Sequence, residues 1–137
     1  MLTRAADYGL RGLLYLSKAS SDRMVMAGEI AEAENMPEYF FSKIFQNLAK
    51  AGIVNSSRGS GGGFSLAKPP EQILLFDVLE AIEGSLCLSR CVDDPGSCPK
   101  SATCPFNAYL SEAQQSLYSV LRKYTLADAA SYSRAAE

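Results

Sequence analysis

The 137-residue sequence predicts a mainly α-helical fold with one small β-hairpin and a long C-terminal helix. Three observations predict it. Apolar residues recur at helical spacing in several separate stretches, the mark of amphipathic helices around a core. A single glycine-rich loop, Gly59-Ser60-Gly61-Gly62-Gly63, lies between two short β-prone runs. Phe106, Leu110, Ala113, Leu117, Val120 and Tyr124 are spaced 4, 3, 4, 3, 4, which is a heptad seam.

Residues 3–19 are expected to form the first helix, with Ala6, Leu10, Leu13 and Leu14 at helical spacing. Residues 27–34 read as a short second helix around Ile30 and Ala31. Asn35-Met36-Pro37 makes a turn, and Pro37 suits the first position of a third helix, where its missing N–H costs nothing. That helix carries Phe41, Ile44, Phe45 and Leu48 as an i, i+3, i+4, i+7 stripe and is expected to stop at Gly52. The runs 53–58 and 64–68 then form the hairpin. Two helices joined by a tight turn and followed by a hairpin give the order of a winged helix-turn-helix.

Pro69-Pro70 closes that unit. Residues 73–83 read as a further helix, with Leu75, Val78, Leu79 and Ile82 on one face and Gly84 at its end. Residues 85–104 show little periodicity and hold every cysteine. Pro105 can start the long helix. Its seam over 105–124 needs a partner, and a symmetric dimer is the commonest solution. Thr125-Leu126-Ala127-Asp128 has the form of a capping box for a last short helix, and the tail after Tyr132 is expected to fray. The expected organisation is a winged helix-turn-helix domain at 1–68, a connecting helix at 69–84, a cysteine loop at 85–104, and a dimerisation helix with a short final helix at 105–137.

Composition narrows the function. No apolar run approaches a membrane span, and residues 1–7 lack a signal peptide's apolar core, so a cytoplasmic protein without membrane partners is expected. The sequence has no histidine, which removes Ser-His-Asp triads, histidine bases and histidine metal ligands together. Neither an enzyme nor a small-molecule substrate is expected. The net charge is −2, but from Met36 to Lys68 four bases (Lys43, Lys50, Arg58, Lys68) face one acid, Glu38. A small basic face on an acidic body suits a reader of double-stranded DNA.

The third helix of such a unit enters the major groove by its first turns. Glu38, Tyr39, Ser42 and Lys43 lie there off the apolar stripe, with Gln46 and Lys50 further along. Glu can accept from cytosine, and Ser or Lys can meet bases or phosphate. Arg58 stands at the hairpin tip beside Gly59 and Ser60, where an arginine can enter a minor groove and read its width. The glycine run lacks the Lys-Ser/Thr of a nucleotide-binding loop.

The thiols Cys87, Cys91, Cys98 and Cys104 are separated by three, six and five residues. In a reducing compartment they are expected to be metal ligands or redox groups, not structural disulfides. Thiolates converging from one loop suit an iron–sulfur cluster. Zinc sites usually use pairs of cysteines separated by two residues, which are missing here. A metal-free thiol switch is the main rival.

Taken together, Leu2-Thr3, Asp7-Tyr8-Gly9-Leu10-Arg11, the stretch Phe45 to Gly52, and Ser57-Arg58-Gly59-Ser60-Gly61-Gly62-Gly63-Phe64 resemble the Rrf2 family of bacterial winged-helix regulators, which includes the iron–sulfur regulators IscR, NsrR and RirA. The cysteine loop and long helix match as well. The resemblance implies a homodimer on a partly palindromic operator. It also implies that Cys91, Cys98 and Cys104 hold a [2Fe-2S] or [4Fe-4S] cluster. The first gap is one residue longer than in IscR-like sequences, and Asn107 stands where those carry a histidine ligand. Three sources remain for a fourth ligand: Cys87; Asp7 of the partner subunit, at the position from which NsrR-like proteins supply an aspartate; or Asp93 and Asp94 within the loop.

The expected function is therefore a homodimeric DNA-binding regulator in which a cluster senses iron, redox state or nitric oxide. The alternative within the family is a cluster-free regulator using a thiol switch, zinc or a protein partner.

Overall fold

A computed structural model of the chain describes residues 2–19 and 23–132. The helices are α1 (Arg4–Lys18), α2 (Ala27–Ala33), α3 (Glu38–Lys50), α4 (Leu75–Glu83), α5 (Arg90–Asp93), α6 (Pro105–Leu121) and α7 (Leu126–Ser131). Strands β1 (Val54–Ser57) and β2 (Gly63–Leu66) pair antiparallel, Val54 opposite Leu66 and Ser57 opposite Gly63. The mainly helical fold with one hairpin agrees with the sequence expectation. The tail beyond Tyr132 lies outside the described residues.

The core sits where α1 crosses α3. Gly12 of α1 faces Phe41 and Phe45, and a β-carbon there would lie 2.4 Å from the Phe41 ring. Glycine therefore lets the two helices approach. Phe41 and Phe45 stack at 4.2 Å, and Phe64 of β2 meets both rings edge-on. Leu13, Ile30, Leu48 and Ile53 complete this fully buried centre. The apolar stripe of α3 is thus core, as its spacing predicts.

Several boundaries differ from the sequence reading. Pro37 keeps an extended ψ of 123° and precedes α3 as its cap, so the helix begins at Glu38. Helix α4 starts at Leu75, not 73, because the preceding segment is used elsewhere. Leu75 N–H donates to Tyr124 O at 2.9 Å, and Leu126 N–H donates to Ile73 O at 2.8 Å. This short pairing ends α6 at Leu121, so Tyr124 lies past the helix and leaves the heptad seam. Phe76, absent from the expected face, is buried, while Leu75 and Ile82 are half-buried. The predicted capping box is present, with Thr125 and Asp128 exchanging both hydrogen bonds.

The wing is anchored by a pairing with no sequence signature. Val25 and Phe64 exchange two backbone hydrogen bonds of 2.8 Å. Gly63, at φ 133°, makes this approach possible, since a β-carbon would come within 2.3 Å of Val25 O.

Candidate nucleic-acid interface and cysteine loop

Two arginines make contacts between the elements that precede α3. Arg11 Nη2 donates to Asp7 at 2.8 Å, and its Nη1 donates to Glu34 O at 3.3 Å, where α2 ends. Arg23 bonds both Glu29 carboxylate oxygens, at 3.0 and 2.8 Å, and the Tyr15 hydroxyl donates to Glu29 at 2.6 Å. The Arg23 hydrogen bonds, then that of Tyr15, lower the Glu29 pKa from the ordinary 4.5 to about 2. The Arg11–Glu34 and Tyr15–Glu29 contacts tie α1 to α2.

The outward face of α3 carries Tyr39, Lys43, Gln46 and Lys50, all exposed, while Ser42 is half-buried. Lys43 Nζ lies 6.0 Å from the Tyr39 ring. Glu38 is exposed, but its carboxylate turns back to within 3.5 Å of a β-carbon position on Gly28 of α2. Phe40, which the sequence reading passed over, is 57% exposed and meets Tyr39 edge-on with ring centroids 5.9 Å apart. Its signal was available in the sequence: it is the one apolar residue of α3's first turns outside the core stripe. Arg58, Gly59 and Ser60 are exposed at the wing tip.

The cysteine loop is held on one side of α6. Asn107 Nδ2 donates to Cys91 O at 3.0 Å, Leu88 N–H donates to Gln114 Oε1 at 2.9 Å, and the Tyr118 hydroxyl donates to Leu86 O at 2.8 Å. Asn107, Gln114 and Tyr118 are seven and then four residues apart, so they share a stripe one position round from the apolar seam. Gln114 is the buried residue of this helix. The seam itself is uncovered, with Phe106 69%, Leu117 37% and Val120 52% exposed.

All four cysteines are free and half-buried. The Ser89 hydroxyl lies 3.3 Å from Cys91 Sγ, and hydrogen bonds from Ser89 and then Asn107 hold the Cys91 thiol below its usual pKa. Asp93 accepts from Ser85 Oγ and Asp94 from Gly96 N–H, both at 3.2 Å, so each serves loop structure. Among the described residues no three Cys, Asp or Glu side chains gather into a group able to hold a metal. The donors suit a cluster chemically, but their positions as folded do not fit one.

The described chain matches the family model described as "Rrf2: Iron-dependent Transcriptional regulator" over residues 2–132. The chain belongs to the Rrf2 family. This is a family of DNA-binding transcription regulators, not of enzymes. The chain is similar to Protein aau3 of Rhizobium meliloti (strain 1021), 36% identical over 128 residues, covering 93% of this chain and 82% of that one. Among solved structures it is similar to CymR, the global cysteine regulator of B. subtilis, with 25% identity, a TM-score of 0.76 and 98% of each chain covered. It is similar also to T. potens IscR, with 25% identity, a TM-score of 0.73 and coverage of 98% of this chain and 93% of that one. Among the described residues no helix is long and apolar enough to cross a membrane.

Proposed function

We propose that this Rrf2-family regulator acts as a homodimer whose operator affinity is set by the packing of the cysteine loop on α6. The carrying observation is that one helix has two uses. Its seam is an uncovered apolar stripe suited to a second copy, and its adjacent polar stripe grips the loop. In this reading Glu38, Tyr39, Ser42, Lys43, Lys50, Arg58, Gly59 and Ser60 contact DNA.

The geometry favours a thiol-responsive loop. Four free thiols lie in it, Cys91 is held by α6 through Asn107, and the similar CymR is a cysteine regulator. A second reading, an iron–sulfur cluster on Cys91, Cys98 and Cys104 with Cys87 or the partner's aspartate, is supported by the cysteine spacing and the family's iron-dependent description. It requires the loop to rearrange.

The test is iron and acid-labile sulfide per chain, with a visible spectrum, on protein purified without oxygen, followed by operator gel shifts with reduced and alkylated thiols. Absent iron with DNA binding altered by alkylation supports the thiol reading. Stoichiometric iron and sulfide, lost in Cys98→Ser, establishes the cluster. DNA binding indifferent to both treatments removes the loop from control.

A further inference from the structure

Phe40 lies in the first turn of α3, next to Tyr39 and outside the core cluster. On the same flank, three and seven residues on, stand the exposed polar residues Lys43 and Asn47. A phenyl ring has no donor and no acceptor, so its exposure here serves no hydrogen bond or ion pair. The ring meets Tyr39 edge-on beside the helix start, so the two side chains form one exposed aromatic patch. In the major groove every base presents polar edges, and the one apolar group is the C5-methyl of thymine.

We propose that Phe40 is a specificity-determining residue that reads a thymine methyl in the major groove. The inference rests on the reading of α3 as the helix that enters DNA, and it adds a base identity to that reading. Tyr39 meets the ring edge-on, and Lys43, with Nζ 6.0 Å from the Tyr39 ring centre, keeps a positive charge beside it.

The test uses duplexes selected by the full-length chain from a random-sequence pool. In the enriched duplex each thymine is replaced in turn by uracil, which pairs identically and removes only the methyl. One replacement should weaken wild-type binding about fourfold, the equivalent of about 0.8 kcal/mol for one buried carbon. Phe40→Ala should bind the thymine and uracil duplexes equally, and Phe40→Leu should retain part of the difference. Wild-type binding that is indifferent to every uracil, or an equal loss in Phe40→Ala, overturns the proposal while leaving DNA binding intact. A pool that yields no enriched duplex overturns the DNA-entry reading and the proposal with it.

Discussion

The Tyr118 hydroxyl donates to the Leu86 carbonyl at 2.8 Å while its ring meets Phe76 edge-on at 5.0 Å. One side chain thus touches the cysteine loop and α4 together. The Arg122 guanidinium lies over both rings, 4.2 Å from Phe76 and 5.2 Å from Tyr118. Through α4, which also packs on α1 and α3, the loop is linked by contact to the helix-turn-helix frame. Tyr118→Phe keeps the ring and removes the donor. It is expected to cost about 1 kcal/mol of stability and to speed alkylation of Cys87 and Cys91. Thermal melting and timed thiol labelling measure both; unchanged labelling rates would show that the loop is held without this bond.

Much of this was legible in the sequence. The α3 stripe, the hairpin and the Thr125 capping box each follow from short-range chemistry. The remainder depends on pairings between distant segments. Nothing near Val25 announces that it will bridge to Phe64, and the pairing of 73–75 with 124–126 ends α6 before Tyr124 although the heptad spacing runs on. Asn107, Gln114 and Tyr118 read as ordinary polar helix positions until the loop is folded over them.

Gly63→Ala tests the wing anchor. The new β-carbon would meet Val25 backbone at a residue already at φ 133°, so the strand must move away from the segment between α1 and α2. A loss of about 1–3 kcal/mol is expected in denaturant unfolding. A variant as stable as wild type would mean that the wing is free to shift.

Glu29→Gln tests the frame by pH. The folded Glu29 titrates at about 2, below its ordinary 4.5, so its ionised form stabilises the fold above pH 4.5. That contribution declines as pH falls below 4.5 and is gone once pH drops past the folded value. Wild type should therefore melt above Glu29→Gln at pH 7, and the gap should close progressively toward pH 2. A gap independent of pH would assign the effect to lost hydrogen-bond geometry, not charge.

Arg58→Ala should weaken operator binding and reduce the dependence of log affinity on log salt by about one counterion. The residue is exposed at the wing tip, so stability should be unchanged. Unaltered gel-shift titrations at two salt concentrations would remove the wing tip from DNA contact.

The seam of α6 makes the strongest demand on a second copy. Within the helix, Phe106, Leu110, Ala113, Leu117 and Val120 form one stripe, and all are exposed in the isolated chain. Antiparallel pairing centred on Gln115 would set the small Ala113 against Leu117 of the other copy and Leu110 against its Val120. Leu117→Arg would place two charges, one from each copy, in that apolar layer without disturbing the loop-gripping stripe one position round. The expected result in sedimentation equilibrium is a dimer for wild type and a folded monomer for the variant, with gel-shift affinity falling because the two half-site contacts are uncoupled. A Leu117→Arg protein that remains dimeric would place the interface elsewhere, and the exposed stripe would then need another occupant.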